Sequence, residues 1–197
     1  MTTGLLGGTF NPPHNGHVAL ARAAKEQFAF DEFIALVAVR PGHKDVELDA
    51  DTRLRLVRAA FPDDHVLRDE HERTVDTLRT GRWEDPLFLI GADEFCDFPA
   101  WKDPQGVLAQ TRLAVATRPG YPRARLDAVL EQLSQPERVL FFEIDPAPIS
   151  SREVRERVAR EEEIRDLVPP AVADLISKLG LYRGYTAAED RKDLTPR

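Results

Sequence analysis

Short apolar runs alternate along this chain with segments whose apolar residues recur at helical spacing, and this alternation constrains the fold more than any other feature. Several runs are apolar at every position, as in strands buried on both faces. A helix between successive strands predicts a parallel sheet with helices on both faces, a doubly wound α/β fold that binds ligands at the carboxyl ends of its strands. The predicted strands cover residues 4–7, 33–39, 87–90, 113–117 and 139–143, and the predicted helices cover residues 18–28, 52–61, 125–133, 152–160 and 171–179.

The chain length favours a single domain. Its 197 residues, 42% of them hydrophobic, suffice for one domain with a core and are few for two. We expect this domain to cover residues 1–184. Residues 185–197 are polar and aperiodic, so we expect a disordered tail there. Charged residues predominate in residues 69–85, which predicts a loop region with a helical turn near residues 75–78.

The charge balance excludes some classes of partner. Lys and Arg number 27 against 34 Asp and Glu, which gives a net charge of −7. We therefore expect no broad binding to nucleic acid or to anionic membranes, and a polyanionic ligand would need a local basic pocket. The single cysteine, Cys96, excludes an internal disulfide and a cysteine-based zinc site. Because no apolar run approaches the ~20 residues that span a bilayer and the N-terminus is not signal-like, we expect a cytoplasmic protein.

The most informative segment leaves the first predicted strand and enters the first helix, and it reads GGTFNPPHNGH from residue 7 to residue 17. Gly7 and Gly8 carry no side chains, so a ligand can approach the backbone and N–H groups can face anionic oxygens. Asn15 is predicted to cap the helix, which places His17 in the first turn, where the helix dipole favours phosphate. The segment lacks the Gly-Lys-Ser/Thr of a P-loop and the spaced glycines of a dinucleotide fold, so it predicts a different phosphate-binding loop.

His14 and His17 are three residues apart, close enough for both imidazoles to converge on one phosphate group. Two ordinary surface histidines near a helix start are the simpler interpretation of such a pair. A metal pair is a weaker interpretation, because no further Cys or His is clustered nearby. The position directly after a glycine-rich strand end favours phosphate binding.

Residues 8–12, followed by the His14-x-Gly16-His17 pattern, resemble the GTFDPxHxGH motif of the nucleotidyltransferase superfamily. A second segment, ISSREVR at residues 149–155, resembles the ISSTxxR motif of the same superfamily. Within the superfamily the chain is most similar, over residues 4–184, to bacterial nicotinate mononucleotide adenylyltransferase. This resemblance implies a Rossmann-like nucleotidyltransferase fold. It also implies adenylyl transfer from ATP to nicotinate mononucleotide, giving deamido-NAD and pyrophosphate in NAD biosynthesis.

The resemblance further implies which residues bind the substrates. ATP would lie over the first motif and the Ser-Ser helix start, and catalysis would consist of positioning and charge neutralisation without a nucleophilic side chain. Mg²⁺ would be held mainly by the ATP phosphates, and no protein metal ligand is assigned. The implied catalytic residues are His14, His17, Lys44 and Arg155; the implied ATP-binding residues are Gly7, Gly8, Thr9, Phe10, Asp93, Arg118, Ile149, Ser150 and Ser151; and the implied acceptor-binding residues are Thr74 and Trp101.

Several of these residues also have a simpler structural interpretation. Ser150 could only cap a helix, and Arg155 could lie on a solvated helix face. Trp101 could be a hydrophobic anchor in the core. Asp93 lies at a position suited to contact with a ribose hydroxyl or with magnesium through water, and it could also, or instead, cap the next helix.

Some positions depart from the family pattern, and most of them lie on the acceptor side. Asn11 stands where the family has Asp, and Arg152 stands where it has Thr. Residues 72–74 replace an expected Ser-Tyr-Thr segment, and residues 37–38 replace a frequent Pro-Asn pair. Nicotinamide mononucleotide and phosphopantetheine therefore stay open as acceptors, as does a nucleotide-binding sensor without turnover. The sequence also leaves open whether the chain forms a homo-oligomer.

Overall fold

The computed structural model describes residues 1–41, 46–145 and 149–186. In these ranges one sheet is formed by β1 (Thr3–Gly8), β2 (Glu32–Ala38), β3 (His65–Asp69), β4 (Leu87–Gly91), β5 (Arg112–Thr117) and β6 (Val139–Glu143). The strand order is β3-β2-β1-β4-β5-β6, and every pair of neighbours is parallel. The chain therefore reverses its progress across the sheet between β1 and β4, which is where a doubly wound fold binds ligands.

Helices cover both faces of the sheet. None in the described ranges is long and apolar enough to cross a membrane. The helices are α1 (Asn15–Phe28), α2 (Ala50–Ala60), α3 (Thr74–Leu78), α4 (Ala92–Asp97), α5 (Pro104–Gln110), α6 (Arg123–Leu130), α7 (Ser151–Ala159) and α8 (Pro170–Leu179), with short 3₁₀ turns at Phe98–Ala100 and Pro136–Arg138.

The core lies in two layers, one on each face of the sheet. Successive strand residues point to opposite faces, so each central strand contributes to both layers. In β1, Leu6 packs with residues of α1, α2, α7 and α8, whereas Leu5 packs with residues of α3, α4, α5 and α6. Val37 and Leu36 of β2 divide in the same way. The continuous apolar runs of the sequence are thus explained, because both faces of these strands are covered.

The prediction of a doubly wound α/β fold is confirmed, and each predicted strand coincides with an observed one. The helical turn expected near residues 75–78 is α3. Sequence reasoning missed β3 because it is an edge strand in which only Val66 is fully buried, so it lacks an apolar run. It also missed α4 and α5, which at six and seven residues are too short to reveal a helical period.

The C-terminal end of the described chain packs back onto the domain. Tyr182 and Tyr185 are buried in the layer that contains α1 and α8. Tyr185 is thus part of the folded core, although it opens the segment 185–197 for which we expect a disordered tail. Residues 187–197 lie outside the described residues.

Candidate active site

The loop between β1 and α1 leaves the sheet at its carboxyl edge, next to the end of β4. Gly7 and Gly8 end β1, and internal packing leaves little room for a side chain at either position. A Cβ atom at Gly7 would lie 2.8 Å from the Phe88 ring, and one at Gly8 would lie 3.0 Å from the Phe10 ring. Two aromatic rings therefore rest directly against the end of this strand. The approach of a ligand to the same backbone stays a prediction.

Side chains at the start of α7 hold the loop that follows β1. Ser151 Oγ donates a hydrogen bond to the Pro12 carbonyl at 2.7 Å, and Arg155 Nη1 donates to the Asn11 carbonyl at 2.6 Å. Arg155 is buried, and its guanidinium carbon lies 4.7 Å from the centre of the Tyr185 ring, so it does not lie on a solvated helix face. These bonds join the two sequence motifs directly, across 139 and 144 residues of chain.

Ser150 is the N-cap of α7, since its Oγ accepts a hydrogen bond from the Glu153 N–H at 3.1 Å. A hydroxyl offers one donor and two acceptor positions, so accepting the Glu153 N–H does not use the Ser150 hydroxyl proton. Ser151 differs, because it gives its proton to the Pro12 carbonyl. Ile149, just before the cap, is partly buried against the core.

His14 is the N-cap of α1, so the prediction of Asn15 as the cap was wrong by one residue. The Gly16 N–H donates to His14 Nδ1 at 3.1 Å, and the His14 N–H donates to His17 Nδ1 at 3.2 Å. The two histidines thus form a reciprocal capping box, an arrangement usually made by Ser or Thr with Glu or Gln. Asn15 is the first helical residue, and its N–H donates to the Leu167 carbonyl at 2.8 Å.

The capping contacts determine the tautomer of each neutral imidazole. Because each Nδ1 accepts a hydrogen bond, the ring proton is on Nε2. The two ring centres are 3.8 Å apart. His14 is 9% exposed, and its burial lowers its pKa to about 4, so the ring is neutral at pH 7. His14 can therefore offer a phosphate oxygen an N–H donor but not a full positive charge.

Asp93 and Arg118 follow the ends of β4 and β5. Asp93 Oδ1 accepts a hydrogen bond from Tyr121 Oη at 2.9 Å, and Arg118 Nη2 lies 4.0 Å from Asp93 Oδ2. Burial and the contacts with Cys96 and Asp93 raise the pKa of Tyr121, which keeps its hydroxyl protonated as a donor. The N-cap of α4 is Gly91, with no side-chain cap bond, so Asp93 is not that cap. Its side chain is 75% exposed and accessible to a ligand hydroxyl.

Trp101 and Thr74 lie on the face of the sheet covered by α3, α4, α5 and α6. The half-buried Trp101 ring meets Phe98 and Phe88 edge-on, with ring centres 5.3 and 6.5 Å away. Trp101 is therefore anchored in the core while part of its surface stays accessible. Thr74 is the half-buried first residue of α3, a helix that packs against α5.

The predicted site residues thus fall into three groups along the carboxyl edge. The first motif and the start of α7 are joined by direct hydrogen bonds, Asp93 and Arg118 lie beyond the switch point, and Trp101 and Thr74 lie on the second face. Lys44 lies outside the described residues.

Sequence reasoning missed two residues that contact the first motif. Arg53 of α2 donates to the Thr9 carbonyl at 2.8 Å, and Tyr182 Oη donates to Asn11 Oδ1 at 2.8 Å. Arg53 did leave a signal, because it occupies a position in the otherwise apolar buried stripe of α2. Tyr182 left no local signal, because its partner is 171 residues away.

Comparison with known proteins places the chain in a family. The cytidylyltransferase-like family model matches residues 5–157. A Thermus thermophilus protein is 37% identical over 195 residues, which cover 93% of this chain and 100% of that protein. A Moorella thermoacetica protein is 36% identical over 197 residues, which cover 91% of each chain. Both are named "Probable nicotinate-nucleotide adenylyltransferase". This chain belongs to the nicotinate-nucleotide adenylyltransferase family.

The fold of this chain is also found in a solved structure. The nicotinic acid mononucleotide adenylyltransferase of Plasmodium falciparum, complexed with NaAD, superposes with a TM-score of 0.74 at 17% identity. The superposition covers 92% of this chain and 97% of the Plasmodium chain. The predictions of a Rossmann-like nucleotidyltransferase fold and of membership in this enzyme family are thereby confirmed.

Proposed function

We propose that this protein transfers the adenylyl group of ATP to the 5′-phosphate of nicotinate mononucleotide, giving deamido-NAD and pyrophosphate. The observation that carries the proposal is the joined pair of motifs, in which a loop with two helix-capping histidines is bonded to the start of α7. The names of the relatives and the NaAD bound by the Plasmodium protein support a pyridine mononucleotide as the acceptor.

The reaction needs no general base from the protein. A phosphate monoester has a second pKa of about 6, so the acceptor phosphate is already ionised at pH 7. One of its oxygens attacks the α-phosphorus of ATP, and the bond from that phosphorus to the β-bridging oxygen breaks. The bonding electron pair leaves with pyrophosphate. The protein then has to position the two phosphates and stabilise the charge that develops on them.

The first motif and α7 would hold the ATP phosphates. ATP would lie over residues 7–10, and His14 and His17 would each donate an Nε2–H to a phosphate oxygen. The Ser150 hydroxyl and the exposed N–H groups at the start of α7 would add further donors. Arg155 supplies buried positive charge beside this loop, and Lys44, in the segment after β2, would add more.

Other residues at the carboxyl edge would bind the remaining parts of the substrates. Asp93 would accept a hydrogen bond from the ATP ribose, and Arg118, which lies beside it, would contact the nucleotide. The accessible part of the Trp101 ring would stack on the pyridine base, and Thr74 would contact the acceptor at the start of α3.

Mg²⁺ would arrive with ATP, bound mainly by its phosphates. Within the described ranges, no three His, Cys, Asp or Glu side chains come together as a set of metal ligands. Asp93 is an exposed carboxylate at the carboxyl edge, and it is already bonded to Tyr121. These donors fit a metal that keeps water and phosphate oxygens as its ligands. When bound, the ion would neutralise charge on the phosphates.

The proposal is tested by incubating the purified protein with ATP, Mg²⁺ and one acceptor at a time. The acceptors are nicotinate mononucleotide, nicotinamide mononucleotide and phosphopantetheine, and the products measured are pyrophosphate and the adenylylated acceptor. We expect nicotinate mononucleotide to have the highest kcat/KM. A higher value for another acceptor would reassign the acceptor site, and ATP binding without turnover of any acceptor would indicate a sensor.

A further inference from the structure

Arg53 is 1% exposed and is the largest fully buried side chain of the described residues. Its Nη1 donates to the carbonyls of Thr9 at 2.8 Å and Ala38 at 2.7 Å. Its Nε donates to the Leu48 carbonyl at 3.2 Å, and its Nη2 donates to the Val39 carbonyl at 3.5 Å. One side chain thus joins three segments at the carboxyl edge of the sheet, namely the end of β1, the end of β2 and the turn before α2.

The charge of Arg53 is not neutralised by a close carboxylate of the described residues. All four of its hydrogen bonds within these ranges end on main-chain carbonyls. Burial lowers the pKa of its guanidinium, and electrostatic attraction from the Asp49 carboxylate only partly opposes this effect. An apolar side chain of similar volume would avoid the cost of burying the charge. An arginine at this buried position is therefore explained best by a function of its N–H donors, which an apolar side chain could not supply.

The Thr9 carbonyl precedes a turn with an unusual conformation. Phe10 has φ 50°, in the left-handed region that is unfavourable for a residue other than glycine. On the far side of the turn, Arg155 holds the Asn11 carbonyl. In a trans peptide the C=O and the following N–H point in opposite directions. Since the Thr9 carbonyl faces Arg53, the Phe10 N–H faces away from it.

We propose that Arg53 is a positioning residue that fixes the Phe10 turn so that the Phe10 N–H faces a phosphate oxygen of the bound nucleotide. This inference rests on the proposed function, because it assumes that phosphate binds at this loop. The bonds to Ala38 and Val39 tie the turn to the end of β2. A single buried guanidinium would thereby hold the Phe10 turn against the end of the neighbouring strand β2.

The test compares Arg53→Lys with Arg55→Lys, a matched change at an exposed position of the same helix. Lysine keeps the charge but lacks the planar fork that reaches the ends of both strands. We expect Arg53→Lys to unfold cooperatively while its kcat falls on the order of 10²-fold, as for a reacting group displaced by about 1 Å. Its dissociation constant for ATP should change less than roughly tenfold, because the other phosphate donors remain. Arg55→Lys should match the unmodified protein.

Amide hydrogen exchange at Phe10 gives a measurement that is independent of turnover. With ATP bound to both variants, we expect faster exchange there in Arg53→Lys than in Arg55→Lys, with unchanged exchange in β4. Equal exchange and equal kcat in the two variants would overturn the proposal, as would a loss of kcat that only matches the loss of folded protein. If the unmodified protein adenylylates no acceptor, the proposed function fails, while the exchange measurement still decides whether Arg53 holds the turn.

Discussion

His14 and His17 each use Nδ1 to accept a main-chain N–H, so their rings are oriented before any ligand binds. A histidine that is held in this way loses little rotational freedom when it meets a phosphate. The same contacts fix Nε2 as the donor in each neutral ring. At the scale of single residues, the two side chains that cap the helix are therefore also the proposed phosphate donors.

His17→Ala should lower kcat on the order of 10²–10³-fold, the usual loss when one transition-state donor is removed. ATP binding should weaken far less, because the N–H groups of the loop and α7 remain. Steady-state kinetics and calorimetric ATP titration measure the two effects. His71→Ala, at an exposed histidine, is the control and should match the unmodified protein. Equal losses in kcat and in ATP affinity would exclude His17 from transition-state stabilisation.

Stability should depend on pH through His14. Its pKa falls from 6.5 to about 4 on folding, so the unfolded chain binds more protons than the native protein between these values. The contribution of His14 to the free energy of unfolding is therefore fully present above pH 6.5. As the pH falls toward 4, the free energy of unfolding should decrease by roughly 3 kcal/mol. Below pH 4, His14 should cause no further decrease in the free energy of unfolding.

Urea unfolding between pH 7 and pH 4 measures this dependence. His14→Asn is the control, because asparagine is a good N-cap that does not titrate. Carboxylates titrate in both proteins, so the difference between the two pH curves isolates His14. Parallel curves would mean that His14 is accessible to protons in the native state.

At the scale of elements, the start of α7 has two neighbouring serines with different tasks. Ser150 accepts the Glu153 N–H and caps the helix, whereas Ser151 donates to the Pro12 carbonyl and fixes the loop. The start of this helix thus both offers a proposed phosphate contact and anchors the first motif. Single alanine substitutions separate these tasks, and each serves as the other's control.

Ser150→Ala should lower the free energy of unfolding by about 1 kcal/mol through loss of the cap, and it should raise the KM for ATP. Ser151→Ala leaves the cap intact and should lower kcat by releasing the Pro12 carbonyl. Thermal or urea unfolding and steady-state kinetics measure these effects. A Ser150→Ala protein with lowered stability but an unchanged KM for ATP would show that Ser150 only caps the helix.

At the scale of the whole molecule, the last described segment closes the fold against the first motif. The buried Tyr182 hydroxyl donates to Asn11 Oδ1, and burial raises the pKa of Tyr182, so the hydroxyl remains a donor. Asn11, which departs from the family pattern, therefore keeps an oxygen acceptor where the family has Asp. Its amide supplies the acceptor without adding a negative charge.

Tyr182→Phe should lower the free energy of unfolding by about 1–2 kcal/mol, because a buried acceptor loses its partner. Tyr121→Phe is the control, since its hydroxyl bonds to the exposed Asp93 and its loss should cost less. Urea unfolding of both variants measures the difference. If the free energy of unfolding decreases equally in the two variants, the hydrogen bond between Tyr182 and Asn11 does not stabilise the packing of the last described segment on the first motif.

The sequence by itself determined the doubly wound fold and the two motifs at the carboxyl edge. Those features depend on local patterns, namely the period of apolar residues, glycines at a strand end and a short run that opens a helix. Weak local patterns gave the errors, as in the edge strand β3 and the cap at His14, where a histidine replaces the usual Asn or Ser.

Only the tertiary structure decided how the site is held. The bonds of Arg53, Arg155 and Tyr182 to the first motif span 44, 144 and 171 residues, and no local pattern encodes such a partner. The lowered pKa of His14 likewise follows from burial by packed segments and not from its neighbours in sequence. Periodicity fixes which face of an element is buried, but the contacts that orient a polar group exist only once distant elements have packed.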